Sequence, residues 1–166
     1  MEKFENPFLH AIAMGIFRLV NWSSNFQSLF LLWMRLTWGH QFFLVGLGKL
    51  ADLDKIIQFF TTIGISHPIF CAHLVAYLET IGGLLLMFGL ASRLIAIPLS
   101  IAMLAALSLA HAQPLSHFRF ITEPSSLVGQ PPYPFLITSM LVLFFGPGRI
   151  SLDAWLKRWA NQQPKY

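Results

Sequence analysis

One apolar stretch limits the fold of this chain more than any other feature of its sequence. It runs from Pro68 to Leu90, and an acidic residue, Glu79, lies near its middle. A helix of this length can cross a bilayer, which takes about 20 predominantly apolar residues. A charged side chain at bilayer depth costs about 2.5–3.5 kcal/mol on insertion scales, so Glu79 requires either a partner or a function.

The composition of the whole chain is that of a membrane protein. Of its 166 residues, 55% are hydrophobic and only 11% are charged, against about 25% charged residues in soluble domains. Further apolar runs occupy residues 28–48, 94–112 and, over a shorter length, 132–145. The net charge of +4 comes from basic residues that flank these runs, as topology signals and anionic-lipid contacts do, and does not indicate nucleic-acid binding. The sequence therefore predicts an all-α membrane protein, a four-transmembrane-helix bundle in the lipid bilayer.

We expect three parts along the chain. Residues 1–27 form an amphipathic segment at the membrane interface, residues 28–149 form the four-helix transmembrane domain, and residues 150–166 form a second amphipathic segment. The only long polar loop, Gln113–Pro131, could fold over the mouth of the bundle as a lid. A single cysteine, Cys71, excludes an intramolecular disulfide.

Capping residues mark several of the predicted helix ends. Asp52 or Asp54 can cap a short helix between the first two spans, and Gly64 can end that helix. The fourth span ends at Gly146, after which Ser151 caps a short amphipathic helix.

The basic residues predict the orientation of the bundle. Seven of them lie on the side shared by both termini, and three lie on the other side: Lys3, Arg18, Arg93, Arg149, Lys157, Arg158 and Lys165 against Lys49, Lys55 and Arg119. Because cytoplasmic loops carry the excess of lysine and arginine, both termini are predicted to be cytoplasmic.

A buried polar centre is predicted between the first and second spans. Counting ~1.5 Å per residue places Glu79 near the depth of Trp38, within a turn of Arg35. An Arg35–Glu79 ion pair would offset much of the cost of burying either charge. Such a pair could be purely structural and fix the helix register, or it could form a proton-handling or polar-ligand site.

Three further side chains gather near the outer ends of the first three spans. Lys49 could snorkel to the interface or bind a ligand, and His73 lies one to two turns deeper. His111 could bond a loop carbonyl, or it could donate a proton or bind a quinone head group. Haem held by two of the histidines His40, His73 and His111 is a weaker alternative, because their depths and helix faces match poorly.

A series of motifs in this order resembles the DoxX family of bacterial four-helix membrane proteins, over about Leu32 to Leu156. The residues that carry the resemblance are Arg35, Gly46-Leu47-Gly48-Lys49, Glu79-Thr80-Ile81-Gly82-Gly83, Gly89, Arg93, His111 and Gly146-Pro147-Gly148-Arg149-Ile150-Ser151-Leu152-Asp153. One departure is Pro131–Pro134, where many relatives open the fourth helix with a less proline-rich polar segment that often includes an acid.

The resemblance implies a multi-pass protein of the bacterial inner (plasma) membrane. Members of the family include small subunits of quinone-linked terminal oxidase and thiosulfate:quinone oxidoreductase systems, and others are tied to oxidative-stress complexes or to catechol and quinone resistance.

The residues and the resemblance together predict a subunit or accessory of a quinone-linked redox system. Glu79 and His111 are its candidate catalytic residues, and Arg35, Lys49 and His73 its candidate ligand-binding residues. No metal site is predicted, a quinone is the candidate bound molecule, and electrons would come from redox partner proteins. The alternatives are a non-catalytic membrane scaffold or assembly factor, and a small-molecule or lipid carrier.

Overall fold

The computed structural model describes residues 7–109 and 125–162, and within these ranges the chain is helical, with short connections and no strand. In chain order the helices are α1 (Pro7–Ala51), α2 (Leu53–Thr62), α3 (Pro68–Phe88), α4 (Ser92–Leu109), α5 (Ser125–Val128), α6 (Pro132–Phe145) and α7 (Leu152–Gln162). The first helix is continuous through residue 27, where the predicted amphipathic segment meets the predicted first span. The predicted lid and His111 lie wholly or largely outside the described residues.

Helices α1 and α3 form the closest helix pair, and glycines set its geometry. A Cβ atom on Gly46 would collide with the backbone nitrogen and the hydroxyl of Thr80. A Cβ atom on Gly83 would lie 2.5 Å from the backbone nitrogen of Phe43 and 2.7 Å from the carbonyl oxygen of Gly39. The two backbones therefore touch, which small residues permit at helix interfaces in membranes. This contact fixes how far along α3 each residue of α1 lies.

The apolar core lies where α4 and α6 pack against each other and against the α1–α3 pair. Its fully buried members are Phe42, Leu86, Ala96, Leu99 and Val142, with Met103, Leu107 and Leu136 beside them. Two aromatic contacts extend the core towards α6, because the ring of Phe135 lies edge-on to Trp38 and Phe42 at 5.3 and 4.6 Å between centroids. A buried hydroxyl pair, Ser100 to Ser139 at 2.9 Å, joins α4 to α6.

The helix ends follow the local sequence signals. The side chain of Asp52 accepts a hydrogen bond from the backbone nitrogen of Lys55 at the start of α2, as predicted. Gly89 ends α3 in the left-handed region, with φ of 68°, a conformation that glycine adopts without steric cost. Ser151 caps α7 by accepting from the backbone nitrogen of Ala154 at 3.1 Å, again as predicted.

Two of the described helices, α3 and α4, are long and apolar enough to cross a membrane. In a soluble protein such helices would be mostly buried in the core, whereas only 39% and 33% of their apolar windows are buried here. Their outer faces carry large apolar side chains: Ile69, Phe70, Leu74, Tyr77, Ile81 and Phe88 on α3, and Leu94, Ile97, Ile101 and Leu109 on α4. An apolar outer surface on helices of this length indicates a lipid environment. Helix α6, with 14 residues, is apolar but shorter than a standard span.

Candidate functional site

Glu79 forms an ion pair with Lys49 inside the bundle. The Nζ atom of Lys49 donates to Oε1 of Glu79 at 2.6 Å. The Glu79 side chain is 1% exposed, while that of Lys49 is 25% exposed and reaches the pair from the last turn of α1. The second carboxylate oxygen of Glu79, Oε2, is buried and has no hydrogen-bond partner. The pair therefore retains one unused acceptor in an enclosed position.

A small cavity of about 180 Å³ lies against this ion pair. Helices α1, α3, α4 and α6 all contribute to its wall, with Phe42, Val45, Lys49, Glu79, Met103, Ala106, Pro131, Pro132 and Phe135. The charged pair is the polar part of a lining that is otherwise apolar and aromatic. A few polar groups in an apolar cavity between bundle helices are a common form of small-molecule site.

The glycine contacts between α1 and α3 bring Lys49 to Glu79. Gly46 lies against Thr80, the residue after Glu79, and Lys49 follows Gly46 by one helical turn. Lys49 is therefore level with the middle of α3. Helix α2, which follows α1, packs on α3 and continues towards the outer end of α3. Of the two roles considered for Lys49, snorkelling to the interface does not agree with the structure, because its ammonium group is bonded to a buried carboxylate.

The predicted Arg35–Glu79 pair is also wrong. Arg35 is fully buried, but its Nη2 atom donates to the carbonyl oxygen of Ile150, and its guanidinium packs against Gly89 at the far end of α3. The prediction placed Glu79 level with Trp38, whereas the packing places it level with the residue after Gly46. The difference is about nine residues, or about 13 Å along the helix axis.

Asp153 is a structurally important residue to which the sequence analysis assigned no role. Its two carboxylate oxygens accept from the backbone nitrogens of Ala91 and Ser92, at 2.8 and 3.0 Å, and its own nitrogen donates to the carbonyl of Gly89 at 3.0 Å. It is also the acid whose charge acts on Arg35. We call these five residues, with Ile150, the Arg35 junction. The position of Asp153, an acid in the first turn of α7, is the sequence feature from which this role could have been predicted.

The remaining predicted site residues are not brought to the Lys49–Glu79 cavity by the described structure. His73 is half-buried on α3, its Nδ1 atom lies 2.9 Å from the carbonyl oxygen of Ile69, and it borders a shallow groove with His67 and Phe70. His40 is exposed on α1. Within the described ranges, no group of three or more histidine, cysteine or acidic residues is placed to hold a metal ion.

The fold and the cavity define an α-helical, membrane-associated protein with an ion pair buried between its helices. The chain belongs to the DoxX family, whose sequence profile matches residues 30–112, half of the chain. That match includes the four residues Arg35, Lys49, His73 and Glu79, so the predicted resemblance is confirmed.

The chain is also similar to a named protein of Bacillus subtilis (strain 168), "Putative oxidoreductase CatD". The two are 38% identical over 74 residues, which is 45% of this chain and 54% of CatD. The chain thus matches about half the length of that relative. No solved structure matches the chain.

Proposed function

We propose that this protein is a membrane subunit or accessory of a quinone-linked oxidoreductase system, and that the Lys49–Glu79 cavity binds the ring of a quinone or quinol. The observation that carries the proposal is the unpartnered Oε2 atom of Glu79 beside the Lys49 ammonium group, in a small aromatic cavity. The family and the name of the relative, an oxidoreductase, support the class of function.

The size and lining of the cavity fit a single six-membered ring. At about 180 Å³ it exceeds the apolar cavity of about 150 Å³ that is known to bind benzene. The rings of Phe42 and Phe135 can contact a flat ligand face or edge, as they already do with each other. A larger head group would need Pro131 and Pro132 to move, since both line the cavity.

Lys49 would act as a hydrogen-bond donor to the ring's oxygen atoms, and Glu79 would act as an acceptor. A quinol supplies two protons and two electrons when it becomes a quinone, and the electrons would pass to a partner protein. The Lys49 ammonium group can donate to a quinone oxygen, and the free Oε2 atom of Glu79 can accept from a quinol hydroxyl. Glu79 is thus the candidate proton acceptor, and Lys49 holds both the carboxylate and the ligand oxygen in place.

The proposed setting is the bacterial inner membrane, with four spans and both termini in the cytoplasm. The apolar outer faces of α3 and α4 support the membrane placement. In this proposal the second half of α1 and the short helix α6 form the other two spans. Helix α6 is then held mainly by protein contacts, since it packs on α4 and α1.

Ring binding is tested with the full chain purified in a mild detergent. Extraction and mass spectrometry should detect co-purified quinone, and a water-soluble single-ring benzoquinone should bind in a titration. Glu79→Gln keeps the shape of the side chain and should weaken quinol binding about tenfold or more, because a hydrogen bond to a charged group is worth about 1.5–3 kcal/mol. Ala106→Leu should fill the cavity and abolish binding, while Ala105→Leu, on the exposed side of α4, is the matched control.

Two results would contradict this proposal, and the second of them would favour a membrane scaffold. If Ala106→Leu and Glu79→Gln bind the benzoquinone as the unaltered protein does, the cavity is not the site. If no quinone binds but partner proteins still assemble with Glu79→Gln, the protein is a membrane scaffold and the ion pair is structural.

A further inference from the structure

A second and larger cavity, of about 860 Å³, opens at the other end of the bundle. Its lining comes from α1, the first turn of α4 with Ala91 before it, the last residue of α6, the connection between α6 and α7, and α7 itself. Four basic residues and one acid line it: Arg93, Arg149, Lys157 and Arg158, with Asp153. It shares no lining residue with the Lys49–Glu79 cavity. We call it the basic cavity.

The single acid does not neutralise this set of charges. Both oxygens of Asp153 are occupied by the backbone nitrogens of Ala91 and Ser92, and its charge already acts on the buried Arg35. The carboxylate is therefore committed to the Arg35 junction. Even with Arg149 left out of the count, Arg93, Lys157 and Arg158 leave the described lining of the cavity with an excess of positive charge.

Two of the arginines are held in place by uncharged acceptors. Arg93 donates to the carbonyl oxygen of Phe144, and Arg158 donates to that of Arg149, each at 3.4 Å. The salt bridges among the described residues involve Lys49 and Lys55, not Arg93, Lys157 or Arg158. Among residues 7–109 and 125–162, these guanidinium groups therefore have no carboxylate partner, as a binding site for an anion requires.

Apolar side chains form the rest of the wall and lead out of the cavity towards the lipid-facing surface. Leu31, Leu94, Phe145 and Pro147 line it. Leu94 is 73% exposed and Phe145 is 59% exposed, so the apolar wall continues directly onto the outer face of the bundle. A free inorganic anion would gain nothing from this wall, whereas a molecule with an anionic head and a hydrocarbon body would contact both parts.

We propose that the basic cavity binds the phosphate of an anionic phospholipid, with its acyl chains lying along Leu94 and Phe145. Arginine is suited to phosphate because its planar fork of donors matches the phosphate oxygens. Basic pockets beside membrane helices are known to hold lipid head groups. This site is independent of the quinone proposal and would be present in a scaffold protein as well.

The test compares three probes on the full chain in a neutral detergent, with bound molecules counted by native mass spectrometry. The probes are short-chain phosphatidylglycerol, short-chain phosphatidylcholine and inorganic phosphate. We expect phosphatidylglycerol to bind with a one-to-one stoichiometry and the other two to bind at least tenfold more weakly. Removing two cations in Arg93→Gln/Lys157→Gln should weaken phosphatidylglycerol binding about 25-fold, at about fivefold for each cation.

Lys55→Gln is the matched control, because it removes the same charge at the opposite end of the bundle and should leave binding unchanged. If Arg93→Gln disturbs folding, Lys157→Gln alone should still show a fivefold loss, since the Lys157 side chain makes no hydrogen bond or salt bridge among the described residues. Equal binding of phosphatidylcholine, or phosphate binding as tight as that of phosphatidylglycerol, would overturn the lipid assignment. Unchanged affinity for phosphatidylglycerol in Arg93→Gln/Lys157→Gln and in Lys157→Gln would show that the basic cavity is not the binding site.

Discussion

At the scale of single residues, the two charged side chains that are buried in the described part of the chain are stabilised in different ways. Glu79 has a charged partner, Lys49, and keeps one oxygen free beside a cavity. Arg35 has a carbonyl oxygen as its hydrogen-bond partner and the charge of Asp153 nearby, and it joins α1 to the start of α7. The Nε and Nη1 atoms of Arg35 are also buried without a hydrogen-bond partner, but Arg35 lines neither of the two cavities. Arg35 therefore has the position of a structural residue, whereas the free oxygen of Glu79 lies where a ligand could reach it.

Replacing Lys49 by methionine should destabilise the protein strongly, because it leaves the Glu79 carboxylate buried without a partner. Removing one member of a buried pair costs about 3–5 kcal/mol, while replacing both members by apolar residues is often neutral. We expect a loss of about 3 kcal/mol for Lys49→Met and recovery of most of it in Lys49→Met/Glu79→Leu. Unfolding in mixed detergent micelles, followed by tryptophan fluorescence, measures both.

The control for this cycle is Lys55→Met. Lys55 pairs with Asp52 at 3.7 Å on the surface, with side chains 79% and 59% exposed, and such pairs contribute about 0.5 kcal/mol or less. If Lys49→Met/Glu79→Leu loses as much stability as Lys49→Met and Glu79→Leu lose in sum, the two charges are not coupled. The Lys49–Glu79 pair then has no structural role.

At the scale of helices, the α1–α3 contact decides which side chains can meet. Gly46 and Gly48 stand two residues apart on α1, but only Gly46 faces α3; a Cβ atom on Gly48 would have nothing within 4 Å. Substituting these two glycines in turn therefore separates the effect of helix packing from the effect of helix propensity on the same helix.

Gly46→Ala should destabilise the protein, and Gly48→Ala should not. The added methyl group at residue 46 would force α1 away from Thr80, and overpacking of this kind costs about 1–3 kcal/mol. At residue 48 the same change should stabilise by up to about 1 kcal/mol, the difference in helix propensity between alanine and glycine. The same unfolding measurement applies, and equal effects at the two positions would contradict the helix contact described here.

The sequence predicted these elements better than it predicted their register. Pro68, Gly89, Gly146 and Ser151 mark helix ends by local chemistry, and the structure places helix ends at or next to each of them. Register depends on which small residue meets which across the helix pair, and that is not a local property.

The error in register came from the depth count, which took the outer ends of the first two spans as level, whereas α1 ends at Ala51 and α2 packs on α3 beyond it. The small residues could not correct this count. The small residues Gly39 and Gly46 on α1 are seven residues apart, and so are Ala76 and Gly83 on α3. Two stripes with the same seven-residue spacing can be matched in more than one way, about two helical turns apart. Burial of Glu79 could be predicted from its charge and its small neighbours, but the choice between Arg35 and Lys49 as its partner could not.

At the scale of the whole molecule, charge and apolar surface are distributed as a membrane setting requires. The middle of the bundle presents apolar side chains outwards on α3 and α4. The basic cavity lies at one end, and Lys55 on α2 lies towards the other. Helix α7 has no buried residue and exposes Trp155 and Trp159, which suits a position at the interface.

The proposed orientation predicts which end of the bundle is accessible from outside the cell. In a Cys71→Ala background, which removes the only native cysteine, Lys55→Cys should react with a membrane-impermeant maleimide in intact cells. Lys157→Cys should react only after permeabilisation, because the proposed orientation places the side rich in lysine and arginine in the cytoplasm. Labelling of both variants in permeabilised cells shows that both thiols are reactive. Reaction of Lys157→Cys but not Lys55→Cys in intact cells would invert the topology, and with it the leaflet whose lipids the basic cavity could reach.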